Sequence, residues 1–339
     1  MKKTVISLLL VLAAATVHAQ FLFRVSGGDL QEPSFILGTI HILSGDQLDS
    51  IPAFLEAEAQ CKQFYTELEN TKSQSADVMQ NLMGKALENY ISADGKSIYD
   101  LLDKTQINLL TTTLAIQTNA MLKATAEVRE RSGMPARSFP NEAAVKSKME
   151  QLVSQLQICK PFFFTNLIEG FLNNEVLMRS LKKDITPDQL IDRVCVFRAK
   201  ARGMAIGELD EIQDIKSDMT ASVEMDISRQ ADSLVAYLNN FASHRQEVLD
   251  GVNHIRQTME YWGKGDFQSF AEMPYWKKEM EKALPIDKRR NETWLPKIED
   301  AMRKAPTMFV FGAAHLIGPY SIIQKLRDAG YEVTQVGVK

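Results

Sequence analysis

Phe309-Val-Phe-Gly312-Ala-Ala-His315, near the end of the chain, repeats the pattern of Phe35-Ile-Leu-Gly38-Thr-Ile-His41 near its start. Each reads as a buried strand, a glycine, two residues and a histidine. Apolar runs without polar alternation suit strands covered on both faces, as in a parallel sheet. Each histidine then emerges just past the carboxyl end of its strand. In open α/β sheets that edge is where ligands bind. The glycine permits a tight turn and the close approach of another group. Two such strand ends at opposite ends of the chain can cooperate only if both termini feed one sheet.

The flanking sequence supports that arrangement. Residues 21–25 read as a strand, followed by the turn signal Ser26-Gly-Gly-Asp29, and residues 34–39 as the next strand. Ile51-Pro52 opens an amphipathic helix that runs to Cys61, with residues 63–68 as a further strand, so the start reads β-β-α-β. From about residue 73 to 202 the apolar period changes to about 3.6, in residues 76–91, 98–117 and 143–158. A strand-like run over 203–208 interrupts this pattern, and helical sequence resumes over 219–262. Gly263-Lys-Gly-Asp266 reads as a turn, residues 291–303 as a helix, 306–312 as a buried strand, and 320–329 and 332–336 as a closing helix and strand. The expected fold is α/β (α+β), with a central, mostly parallel sheet built from both chain termini and a large helical insertion. The insertion is expected to cap the carboxyl edge of the sheet.

Composition bounds the function. The chain has 339 residues, 45% of them hydrophobic and 24% charged, with 17 Gly and 11 Pro, which excludes disordered, collagen-like and disulfide-stapled classes. A net charge of −4 provides no basic field for nucleic acid. Lys2-Lys3, an apolar run over 5–16 and Val17-His18-Ala19 read as a secretory signal peptide covering 1–19, cut before Gln20. The apolar run is too short to span a bilayer, and no Cys follows it. The expectation is therefore an exported protein, periplasmic or secreted, with no stable membrane anchor. Cys61, Cys159 and Cys195 match no metal or redox spacing, and buried thiols are favoured over a disulfide.

Several further residues bear on chemistry. Alternation along 64–69 places Glu67 and Glu69 on one strand face. Two imidazoles and a carboxylate from neighbouring strand ends suit a divalent metal or a metal-free acid/base set, and an edge carboxylate can also be merely solvated. Glu208 ends a strand and either joins the site or caps the next helix. Arg290, read as preceding a helix, can bind a carboxylate or oxyanion, although charge runs are usually solvated faces. There is no His-Glu-x-x-His, Gly-x-Ser-x-Gly, phosphate-loop or dinucleotide motif. His244 and His254, ten apart on a helix, do not share a face and read as surface or packing residues.

Taken in order, these blocks resemble the TraB/GumN family. The carrying residues are Leu22-Phe-Arg-Val-Ser-Gly27, Phe35 to His41, Glu67, Ala199 to Glu208 with Gln213, Tyr261-Trp-Gly-Lys-Gly-Asp266, Arg290-Asn291, and Phe311-Gly-Ala-Ala-His315-Leu-Ile-Gly318. Glu69 stands where that family more often has Asp. The resemblance extends to the Tiki metalloproteases and, more distantly, to erythromycin esterases and ChaN-like haem-binding proteins. It implies one domain over 20–339, with its sheet core in about 20–72, 203–213 and 305–339. It also implies a helical insertion over about 73–202 and further helices over about 214–304. His41, Glu67, Arg290 and His315, with Glu208, fall on the family's catalytic constellation. His41, His315 and Glu67 would be ligands of a divalent metal ion (Mn, Co or Zn), with a peptide or small molecule as substrate. The alternatives are a non-catalytic peptide-, metal- or haem-binding protein and a metal-free His/Glu esterase.

Overall fold

The computed structural model describes residues 21–68, 90–93, 95–135, 140–210 and 225–337, with backbone only at 279–287. The signal segment, Glu69 and most of 76–91 lie outside the described residues. Six strands form one sheet: β1 Leu22–Gly27, β2 Ser34–Thr39, β3 Gln63–Thr66, β4 Ala205–Glu208, β5 Thr307–Gly312 and β6 Tyr331–Gln335. Their order is β4-β3-β5-β2-β1-β6. Strands β4, β3, β5 and β2 are mutually parallel, and only β1 is reversed between its neighbours. Both termini share this sheet, as the paired motifs require. In β2 and β5 every residue is buried, which is why neither sequence alternates.

The helices are α1 Pro52–Gln60, α2 Lys104–Arg131, α3 Glu142–Gln155, α4 Pro161–Ser180, α5 Ile191–Ala201, α6 Ile227–Lys264, α7 Phe267–Glu272, α8 Pro274–Lys304 and α9 Ile322–Asp328. A single turn, Ile98–Leu101, precedes α2. The continuous helix expected over 98–117 breaks there because Asp103 caps a new helix. Its carboxylate accepts from Gln106 N at 2.9 Å, and Gln106 Oε1 accepts in turn from Asp103 N at 2.9 Å. The turn expected at 263–266 reduces to Gly265, which closes α6 at φ 69° with Asp266 capping α7.

Apolar burial divides into two clusters. One covers the sheet and draws in α1, α5, α8 and α9 through residues such as Phe54, Cys195, Trp294, Ile298 and Leu326. The other lies among α2, α4 and α6, around Leu110, Leu114, Phe164, Ile168, Leu234 and Leu238. Helix α6 links them, because Trp262 near its end is fully buried in the sheet cluster. Its indole Nε1 donates to Gly38 O at 2.7 Å, which ties the Tyr261-Trp-Gly-Lys-Gly-Asp266 block to the first Gly-x-x-His strand. Cys61, Cys159 and Cys195 are buried free thiols. Burial pushes the Cys61 thiol up to about 12, which keeps it an inert, protonated packing residue.

Candidate active site

Each of the four parallel strands delivers an ionisable side chain to the site from just past its carboxyl end. His41 lies two residues past β2, Glu67 one past β3, Asp210 two past β4 and His315 three past β5. Helices supply the rest. Asp192 comes from the first turn of α5, and Arg290, Asn291 and Trp294 come from α8. The expectation that Arg290 precedes a helix is corrected, since it sits well inside one. The charged run that ends at Arg290 looks like punctuation in sequence, but here it continues an amphipathic helix.

Arg290 is the hub. Its Nη2 donates to Glu67 Oε2 and to Asp210 Oδ2, both at 2.6 Å, and its Nε reaches Asp210 Oδ1 at 3.3 Å. Its Nη1 faces His315 Nε2 at 3.1 Å. The indole of Trp294 underlies the guanidinium at 4.6 Å and donates from Nε1 to Asp210 Oδ1 at 2.7 Å. With these partners the guanidinium holds the carboxylates in place, so its first role is positioning rather than meeting an oxyanion.

Both imidazoles are oriented through Nδ1. That of His41 bonds Asp192 Oδ2 at 2.8 Å, and Thr39 Oγ1 donates to the other carboxylate oxygen at 2.7 Å. That of His315 bonds Asn291 Oδ1 at 2.8 Å. An acceptor on Nδ1 holds the proton there, so the lone pair of the neutral ring lies on Nε2. Both Nε2 atoms turn toward one oxygen, Glu67 Oε1, at 3.8 Å from His41 and 4.0 Å from His315. The same oxygen accepts Gly312 N–H at 2.7 Å.

The two glycines accommodate each other's motif. A Cβ on Gly38 would stand 2.5 Å from Leu316 Cδ1, in the turn that carries His315, and one on Gly312 would stand 2.9 Å from His41 Nε2. Neither has positive φ, so close approach rather than turn geometry demands glycine at both positions. Gly45 does the same for α5: a Cβ there would meet Val194 at 2.4 Å. This contact, with Ile191 N bonded to Leu43 O at 2.8 Å, brings Asp192 to His41.

Exposure grades the site. The His41 side chain is 60% exposed and His315 is 5% exposed, with Glu67 at 20% and Asp210 at 4%. Burial opposes charge on His41, but the Asp192 hydrogen bond and the charges of Asp192 and Glu67 outweigh it and raise the ring to about 9. Solvent at the open face softens that shift. Burial drives His315 down to about 4, with repulsion from Arg290 added against attraction by Glu67. Burial also disfavours the Glu67 carboxylate, but the neighbouring imidazoles of His315 and His41, the Arg290 guanidinium and the Gly312 amide outweigh this and hold it below the usual carboxylate range.

These shifts give stability a shape in pH. Between pH 6.5 and about 4 the unfolded chain takes up a proton that His315 refuses when folded, so stability falls as acid is added. His41 does the opposite: its contribution is complete below pH 6.5 and is lost as pH rises toward about 9. The two rings together place a maximum near pH 6.5. Urea titrations across this range check it, and His315→Gln is expected to flatten the acid limb. An unchanged limb would contradict a neutral, buried His315.

The N, N, O donors and their tautomers suit Mn, Co or Zn in type. Their spacing is another matter. Ligands of one ion with bonds of ~2.1 Å stand roughly 3.0–3.4 Å apart, and Arg290 already meets the His315 lone pair. Among the described residues no three His, Cys, Asp or Glu groups stand in metal-holding geometry. Taking an ion requires Glu67 and the rings to close by several tenths of an ångström and Arg290 to release His315.

Of the residues named from sequence, the structure brings together His41, Glu67, Arg290 and His315. Glu208 closes β4 in register with Thr66, and the carboxylate that pairs with Arg290 belongs to Asp210 instead. Asp210 had a usable signal, being two residues past a parallel strand as His41 is. Asn291 lay in the Arg290-Asn291 block with no role assigned to it, and Asp192 had no signal. Away from the site, His244 bonds Glu169 at 2.6 Å, and His254 stacks on Tyr275 at 4.7 Å, both as packing groups.

The model of the TraB/PrgY/gumN family matches residues 21–335, nearly the whole chain. No curated protein and no solved structure matches it.

Proposed function

The chain belongs to the TraB/PrgY/gumN family, and on that premise we propose that it is an exported hydrolase acting at the carboxyl edge of the sheet, on a peptide bond before other acyl bonds. The observation that carries this reading is the convergence of both Nε2 atoms on Glu67 Oε1, each ring held through its Nδ1. Groups fixed in that way meet the first requirement of a catalytic constellation, which is preorganisation.

His41 and His315 through Nε2, with Glu67, would hold a divalent ion, which when bound acidifies water and polarises a carbonyl. Asp192 keeps the Nδ1 proton of His41 and Asn291 that of His315, which sustains both donors. Glu67 is the carboxylate placed to receive a proton from an attacking water. Arg290 locks Glu67 and Asp210, and the indole of Trp294 closes the floor against solvent. The exposed face of His41 is the side from which substrate enters.

The test is metal content after gentle purification, paired with a peptide-cleavage screen with and without manganese, on wild type, His41→Ala and His315→Ala. Folded variants are expected to lose manganese affinity and turnover by about 100-fold or more, because waters replace an imidazole poorly. Unchanged affinity in both would remove the metal, full turnover in both would remove His41 and His315 from the chemistry, and no cleavage by wild type with or without manganese would remove the hydrolase.

One observation favours a metal-free version of the same site. Arg290 Nη1 meets the His315 lone pair, and His41 is raised to about 9. In that version His41 Nε2 gives a proton to the leaving group while Glu67 takes one from water, and chelators leave turnover intact. Export is proposed on the amino-terminal segment alone. The expected mature terminus is Gln20, and mass spectrometry finding Met1 on exported protein would refute it.

A further inference from the structure

A second constellation lies where α2, α4 and α6 meet, with no residue in common with the strand-end site. Beneath it, Glu175 is fully buried on α4 and accepts Gln117 Nε2 at 3.0 Å, Arg179 Nε at 2.7 Å and Arg245 Nη2 at 2.6 Å. Burial disfavours its charge, but these donors outweigh that and hold the carboxyl below its usual range. One carboxylate shared by two guanidiniums leaves a net positive charge.

Arg179 also lines a cavity of about 300 Å³, together with Glu127, Arg131, Val252, Asn253 and Arg256. Arg131 Nη2 donates to Leu181 O at 3.1 Å, and Arg256 Nη2 donates to Arg179 O. These carbonyls at the end of α4 are helix-terminal acceptors. Arg131 Nη2 also donates to Met178 O at 3.4 Å, so capping occupies the Nη2 group of each guanidinium and leaves Nη1 and Nε. The remaining donors have no carboxylate within ion-pair distance among the described residues. Arg131 and Arg256 thus share one acid, Glu127, around a pocket large enough for a small anion, with Arg179 already paired to Glu175. Preorganised guanidinium forks are the groups that recognise carboxylate and phosphate oxygens.

We propose that this cavity is an oxyanion-binding site, taking the phosphate or carboxylate group of a small ligand between Arg131 and Arg256, with Asn253 as a further donor. Glu127 opposes the charge of the bound anion and so limits its affinity.

The test is calorimetric titration of the mature protein with inorganic phosphate and, separately, with succinate, at constant ionic strength against chloride. Wild type is expected to bind at least one of the two, and the preferred arm identifies the oxyanion. Glu127→Gln removes the opposing charge and touches no capping bond, so it should tighten binding by about 10-fold, which is ~1.4 kcal/mol. Arg256→Gln should weaken it by a similar factor, with circular dichroism confirming that the variant is folded. Absence of binding to either anion in both wild type and Glu127→Gln overturns the proposal. Equal affinity in wild type, Glu127→Gln and Arg256→Gln does so too, because it would place the anion elsewhere.

Discussion

Replacing Arg290 with Met is expected to lower the free energy of unfolding by about 3–5 kcal/mol, the range for removing one partner of a buried ion pair. The magnitude follows from what remains. Asp210, 4% exposed, is left without its cation, and Glu67, 20% exposed, keeps only His41 at 3.8 Å. Trp294 Nε1 continues to donate to Asp210, but one neutral hydrogen bond does not offset an isolated buried charge. Adding Asp210→Asn to the variant should recover part of the loss, since the orphaned charge is then gone, and the double-mutant cycle isolates the coupling. Urea unfolding of the four proteins measures it. A loss under about 1 kcal/mol, the scale of an exposed pair, would mean that solvent reaches Asp210.

Gly312→Ala is expected to abolish the site while leaving the fold. Its new methyl would lie 2.9 Å from His41 Nε2 and 3.4 Å from Glu67 Oε1. His41 is the open side of the site, so it swings away at little cost to stability, and the convergence on Glu67 is lost. Displacement of a catalytic group by about 1 Å costs on the order of 100-fold in turnover. Manganese affinity should fall in parallel if the ion is held there. Gly38→Ala makes the contrast. Its methyl would strike Leu316 Cδ1 at 2.5 Å inside the core, so overpacking of about 1–3 kcal/mol should appear as lost stability. Turnover and manganese affinity of Gly312→Ala both within twofold of wild type would show that His41 Nε2 and Glu67 do not work together.

Both effects come from residues that the sequence identified for other reasons. Gly38 and Gly312 stand out as a repeated pattern, and turning was one of the two jobs assigned to them. The structure shows the other job alone, room for the opposite motif. Arg290 stood out as part of a charge run and of a family block. Only the tertiary structure shows a guanidinium with bonds to Glu67, Asp210 and His315, which makes it a clamp. Asp192 is an acidic residue in the first turn of a helix, like many others, until α5 packs over Gly45 and sets it against His41.

What the sequence determined by itself is periodic and local. The unbroken apolar runs of β2 and β5 dictate buried strands, because no face of them tolerates water, and a histidine shortly after each must leave at the carboxyl edge. The 3.6-residue period dictates helices between them. What only the tertiary structure decided is pairing at long range. That β5 inserts between β2 and β3 is a choice of in-plane neighbours, and the apolar pattern that marks a strand covered on both faces does not say which strands flank it. That Asp210 rather than Glu208 meets Arg290 depends on where β4 stops. Which acceptor orients each imidazole depends on how α5 and α8 pack. Hydrogen-bond partners are chosen by atoms brought within about 3 Å, and distances of that size are set by packing between elements far apart in the chain.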